Sequence, residues 1–157
     1  MKKISRDTPL LEVVLRRYEK PQQLDTREVV RKFCLSLGLL QPGDSRDIIV
    51  DILYVLLRAK TEKKELASEE VKDLVVEFRK EHNLALHGVA SSNVRRQMKR
   101  LRDILLVEKI KNRYRLVEYA NLSESYKEKL EQLLLPSLLS RIKEYLEEID
   151  KRFPLEK

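Results

Sequence analysis

Apolar residues recur along this chain at helical spacing, and the pattern switches once to alternation. Asp7-Thr8-Pro9 sets a cap ahead of a proline at a first helical turn and predicts a helix to about Tyr18, before Pro21. A second helix begins at Asp25 or Thr26, carries Val29, Val30, Phe33, Cys34 and Leu37 on one side, and stops at Gly38. Gln41-Pro42-Gly43-Asp44-Ser45 then breaks the chain and offers the next cap. From Arg46 to about Lys60 the residues are apolar nearly all round, which predicts a helix at the centre of the core.

After a charged turn, Ser68 is the expected cap of a fourth helix. Glu69 and Glu70 suit its first turn, and Val71, Leu74, Val75 and Phe78 form its buried stripe. Ser91 or Ser92 caps a fifth, with Val94, Met98, Leu101 and Leu105 on its inner side. The period then changes. Over Leu106–Glu118, Val107, Lys109, Arg113, Arg115 and Val117 alternate with Leu106, Glu108, Ile110, Tyr114 and Leu116, and Lys111-Asn112 sits at the reversal, predicting a short β-hairpin. Residues 123–153 return to helical spacing, with Pro136 predicting a kink or a junction near Leu135.

The expected fold is therefore mainly α with one small β-hairpin, divided into an N-terminal helical extension (1–44), a central domain (45–118) and a C-terminal helical segment (119–157). The last segment has a strong apolar stripe. Leu138, Ile142, Tyr145, Leu146 and Ile149 exceed what the central domain needs for its own core, which predicts pairing with a second copy.

Charge changes the picture at one place. The chain holds 33 basic and 26 acidic residues, but Ser91–Leu116 holds nine cations against two anions, a net of +7, leaving 24 of each sign elsewhere. Dispersed charge is a solvated surface, whereas a localised excess points to a polyanionic partner. The high Lys, Arg and Glu content with few Gly fits a thermophilic source. On a helical wheel at about 100° per residue, Met98, Leu101 and Leu105 cluster around Val94 while Ser92, Arg95, Arg96 and Lys99 lie opposite. Arg100 and Arg102 flank that basic face, and Asp103 stands one turn from Lys99, where it can buttress it.

Other chemistry is sparse. Cys34 lies on a buried stripe without a His partner, so it is expected to be a core thiol, and a single cysteine fits a reducing cytoplasm. His82 and His87 share no face and have no accompanying ligand set, so no metal is expected. There is no Gly-rich phosphate loop and no Ser-His-Asp arrangement. Neither an enzyme nor a cofactor is expected, and no apolar run is long enough for a membrane span.

A core helix, a second helix, a turn, a basic third helix and a two-stranded hairpin resemble the winged helix-turn-helix superfamily over about Ser45–Glu118. The resemblance rests on Val94, Met98 and Leu101 inside the third helix and on the returning strand Asn112–Leu116. It departs from the usual pattern at Ile104-Leu105-Leu106, where many such domains carry a glycine. The resemblance implies a cytoplasmic, homodimeric transcription regulator that binds double-stranded DNA. Ser92, Arg95, Arg96 and Lys99 would enter the major groove, Asn93 and Arg100 belong to the same DNA-binding set, and Lys109, Lys111, Arg113 and Arg115 would straddle the adjacent backbone or minor groove. Two other roles stay open: an architectural or replication-associated DNA binder with little sequence preference, and a module that docks an acidic protein.

Overall fold

The computed structural model describes residues 9, 11–17 and 20–156. The chain divides into two compact units, residues 1–120 and 121–157, so the first unit joins the stretches 1–44 and 45–118 that the sequence pattern separates.

In the first unit the helices are α1 (Thr26–Ser36), α2 (Ile48–Thr61), α3 (Ser68–Glu81) and α4 (Ser91–Asp103), with strands β1 (Leu66–Ala67), β2 (Val107–Ile110) and β3 (Arg113–Leu116). The protein is mainly helical with a three-stranded antiparallel sheet in the order β1-β3-β2, one strand more than the hairpin expected. β1 pairs Leu66 with Tyr114 and Ala67 with Arg113. Two residues are too few to display any period, which is why alternation does not reveal this strand.

The core forms around α2, whose Ile48, Ile49, Val50, Ile52, Leu53 and Leu56 are all buried. From α3 it takes Val71, Val75 and Phe78, and from α4 Val94, Met98 and Leu101, while Tyr114 and Leu116 close it from β3. Leu74, expected on the buried stripe of α3, is 41% exposed. Arg79, one turn beyond Val75, is buried instead, with its guanidinium in the ion cluster described below.

Caps sit one residue earlier than serine would suggest. Asp25 caps α1 by accepting from the Glu28 N–H, as expected. Ala67 and Ala90 occupy the cap positions of α3 and α4, so Ser68, Ser91 and Ser92 are already helical. At α3 the missing cap is replaced from the other side, by Glu70 Oε1 accepting from the Ala67 N–H at 3.2 Å.

All four helices end alike. At each C-terminus one residue takes a left-handed conformation: Gly38, Lys63, Asn83 and Leu105. The next residue donates back to a carbonyl five positions earlier: Leu39 to Cys34, Lys64 to Ala59, Leu84 to Arg79, and Leu106 to Leu101. This hydrogen-bonded stop satisfies the last orphan carbonyls, and glycine is its usual occupant. Leu105 fills it where a glycine was missing from the sequence pattern, so α4 ends at Asp103 and Leu105 leaves the helical stripe.

The helix expected from Asp7 to Tyr18 is absent from 11–17, which are not helical; Asp7, Thr8 and Tyr18 lie outside the described residues. The Val14 N–H donates to Ser36 O, a last-turn carbonyl of α1, at 2.8 Å. Glu12 passes so close to Gly38 that a Cβ there would lie 2.2 Å from its carboxylate. A tertiary partner for the backbone thus overrides the local helical pattern.

Lys111 and Asn112 form the hairpin turn, both left-handed as a two-residue loop of this kind requires. Such a loop pairs each residue of β2 with one of opposite parity on β3: Val107 with Leu116, Glu108 with Arg115, Lys109 with Tyr114 and Ile110 with Arg113. One face therefore carries Val107, Lys109, Tyr114 and Leu116, the other Glu108, Ile110, Arg113 and Arg115. The expected grouping of Lys109 with Arg113 and Arg115 is corrected accordingly.

The second unit is one helical run. α5 (Leu122–Ser125) continues as a π-helical stretch, Tyr126–Leu134, and then as α6 (Leu135–Arg152). The junction expected near Leu135 is a change of winding. The Leu135 N–H reaches Leu130 O, five residues back. A wider turn relieves the clash of a proline ring with the preceding turn, so Pro136 follows without ending the helix. Among the described residues no helix is long and apolar enough to cross a membrane.

Candidate nucleic-acid interface

α4 is strongly amphipathic because Val94, Met98 and Leu101 are fully buried while Ser92, Arg95, Arg96, Lys99 and Arg102 are exposed. The wheel expectation holds for that division. Two residues of the expected DNA-binding set, Asn93 and Arg100, are engaged inside the fold. Asn93 is consumed within the α3–α4 connection, donating to Gly88 O at 2.8 Å and accepting from Gln97. Arg100 donates to Gln97 Oε1 and reaches Gly38 O at 3.2 Å, bracing α4 against the end of α1. Both side chains are engaged by hydrogen bonds within the fold.

The exposed cations differ in how far they are neutralised. Lys99 pairs with Asp103 at 2.9 Å, the one-turn buttress its spacing predicts. Arg95 stands 4.0 Å from Glu69 with both side chains more than half exposed, a weak attraction in water. Arg96, Arg102, Lys109 and Lys111 make no ion pair among the described residues. Lys109 lies over the Tyr114 ring at 5.6 Å, and Lys111 sits exposed at the hairpin tip.

Two hairpin arginines are paired with acids at the surface. Arg113 bonds Glu70 Oε1 at 3.1 Å and the Glu65 carbonyl at 2.9 Å, tying the hairpin to α3 and to the residue before β1. Arg115 pairs with Glu108 opposite it on β2, approaches Glu65 and covers the Tyr119 ring at 4.7 Å. Cross-strand register causes the Arg115 pair, because directly opposed residues share a face. The free positive charge is thus concentrated on α4 and the hairpin tip, and the β3 arginines are structural in this arrangement.

Sequence reasoning missed a second concentration of charge, inside the protein. Asp51 is fully buried on α2, and Arg79 on α3 is only 2% exposed. Arg79 Nη1 bonds Asp51 and, at 3.0 Å, Asp47, while its Nε donates to Ala85 O. Arg27 of α1 completes the cluster, bonding Asp51 at 2.9 Å and Asp47 at 2.8 Å. Burial alone would raise the carboxyl of Asp47, but hydrogen bonds and charge from Arg27 and Arg79 outweigh it and hold it below its ordinary value. Burial likewise opposes the charge on Arg27, and the two aspartates overcome it so that its guanidinium is held more firmly protonated. The signal in the sequence was Asp51 itself, one acid in an otherwise apolar helix, which demands cations from elsewhere.

Cys34 is fully buried. Burial pushes its thiol up to about 12, against the opposing charge of Arg100, so it is a core thiol with little thiolate at neutral pH. His82 stacks on Phe78 with ring centres 4.1 Å apart, and its Nδ1 lies 2.9 Å from Phe78 O.

On α6, Ile142, Tyr145, Leu146 and Ile149 are 47 to 65% exposed, and Leu138 is half-buried. Leu139 and Phe153 extend the exposed stripe.

Compared with protein-family models, curated proteins and solved structures, the chain matches none.

Proposed function

We propose that the first unit is a winged helix-turn-helix domain that binds double-stranded DNA as a homodimeric transcription regulator, with α4 in the major groove. One observation carries this reading: α4 buries its apolar side completely and turns Arg95, Arg96, Lys99 and Arg102 outward together. A helix of this diameter fits the major groove, where arginine donates two hydrogen bonds to guanine. The first turn of α4 contains no acid to repel a phosphate. The order α2-β1-α3-α4-β2-β3 with sheet order β1-β3-β2 supports it further, since it sets the hairpin beside α4 with Lys111 at the tip. Ser92, Arg95 and Lys99 face bases in this reading, and Lys109 and Lys111 meet the backbone.

Dimerisation belongs to the same proposal. Leu139, Ile142, Leu146 and Ile149 of α6, with Phe153 just after it, follow a three-four spacing and are all exposed, the repeat of a two-helix seam, and a second copy supplies an identical stripe.

Selection of duplexes from a random pool, followed by salt titration of the winner and a scrambled duplex, tests the whole. The expected result is an enriched sequence bound at least about a thousandfold more tightly than random duplex at fixed salt. Equal affinities would replace the regulator with an architectural binder. No retardation of any duplex at low salt would reject DNA binding in favour of an acidic protein partner. Sedimentation as a monomer at micromolar concentration would remove the α6 seam.

A further inference from the structure

Between the loop that precedes α2 and the side of α4 lies an open cleft of about 450 Å³. Arg46 comes to it from the loop, and Arg96 and Arg100 from α4. The one carboxylate there is Asp44, whose Oδ1 accepts from the Arg46 backbone N–H at 2.9 Å and so is turned into its own loop. Asn93 and Gln97 supply amides, already bonded to each other. Three guanidiniums against one carboxylate leave the cleft cationic.

The three arginines are not equivalent. Arg100 is held by Gln97 and Gly38 O, as described above. Arg46 and Arg96 are exposed and make no ion pair among the described residues. On α4, Arg96 lines the cleft with Asn93, Gln97 and Arg100, whereas Ser92, Arg95 and Lys99 do not line it. A group bound between Arg46 and Arg96 would therefore lie beside the groove-reading face, where a DNA strand flanking an inserted helix runs.

We infer that Arg46 and Arg96 form a clamp for one backbone phosphodiester of duplex DNA at the edge of the α4 contact. This rests on the DNA-binding reading above, assigns Arg96 to the backbone and brings the loop before α2 into the interface. Guanidinium suits the task because its paired N–H donors match two phosphate oxygens. Such contacts set register and affinity without reading sequence.

The test is a salt titration of full-length protein on a selected and a random duplex, for the wild type, Arg46→Ala, Arg96→Ala and the double variant, with Arg58→Ala near the far end of α2 as control. Each lost phosphate contact should flatten the slope of log affinity against log salt by about 0.9, so that roughly threefold less affinity is lost between 50 and 200 mM. Arg46→Ala should do this equally on both duplexes, and Arg58→Ala should leave the slope unchanged. Circular dichroism of each variant verifies folding, which an exposed loop arginine should not alter. Wild-type binding with an unchanged slope in Arg46→Ala would overturn the clamp and leave the DNA reading standing. A loss confined to the selected duplex would overturn it by making Arg46 a base reader. If inorganic phosphate binds the wild type but not Arg46→Ala while the duplex slope is unchanged, the site is for a free anion and the clamp falls. Absence of any wild-type binding to duplex would reject both readings together.

Discussion

Two groups of arginines do opposite work in this protein. Arg79 is drawn into the interior and Arg27 to its edge, and Asp47 and Asp51 match them, so that the cluster is neutral, with Arg79 and Asp51 sealed and Arg27 and Asp47 part-exposed. Those of α4 and the hairpin stand on the surface and are only partly matched. The difference shows what charge needs in each setting. In the interior a guanidinium must have its donors occupied, because an unpaired buried charge costs several kcal/mol. On the surface water performs that task, and a cation can be left free for a partner.

The sharpest way to break the comparison is to remove one interior partner. Asp51→Ala leaves Arg79 and Arg27 with Asp47 alone and should cost about 3–5 kcal/mol of stability, read from denaturant midpoints at neutral pH. Adding Arg79→Met should recover part of the loss, because the two residues act as a unit. A loss below about 1 kcal/mol for Asp51→Ala would mean that water enters the cluster and that interior and surface arginines are not distinct.

Acid should separate the two groups next. Asp47 is held low in the folded state by Arg27 and Arg79, against the opposing effect of burial. A carboxyl depressed on folding contributes stability that is complete above its unfolded value, about 3.9, and is lost as pH falls through the folded value. Wild type should therefore lose stability below about pH 4 more steeply than Asp47→Asn, whose pH dependence lacks this group. Parallel stability curves between pH 6 and 2.5 would show that Asp47 is not coupled to the arginines.

The helices were legible because burial in a helix repeats along the sequence. Apolar spacing gives α1, α2, α3 and α4, Asp25 marks one start, Gly38 marks one stop, and alternation finds β2 and β3 with Tyr114 inward. What depends on distant partners was not legible. Arg27 and Arg79 lie 24 and 28 residues from Asp51, and nothing local ties them to it. The helix stops at Lys63, Asn83 and Leu105 use a backbone conformation that glycine alone announces. On the candidate interface the wheel separated the two sides of α4, yet it could not see that Asn93 and Arg100 were needed by Gly88 and Gly38. Residue type and face give availability in principle, and only the neighbours decide it.

The smallest expected effect lies on the hairpin, where the comparison is closest to balance. Arg115 is neither sealed like Arg79 nor free like Arg96: it is part-exposed, with Glu108 as its main partner. Glu108 also accepts from the Glu118 N–H at 3.0 Å. Glu108→Gln keeps an oxygen for that N–H and removes the charge, so it should cost less than about 1 kcal/mol in stability, as expected of a partly exposed ion pair. If the proposed DNA binding holds, Arg115 becomes available to a phosphate, and the slope of log affinity against log salt should steepen by up to about 0.9. An unchanged slope together with unchanged stability would mean that Arg115 is held by the Tyr119 ring and Glu65 rather than by Glu108, leaving it structural whatever its partner's charge.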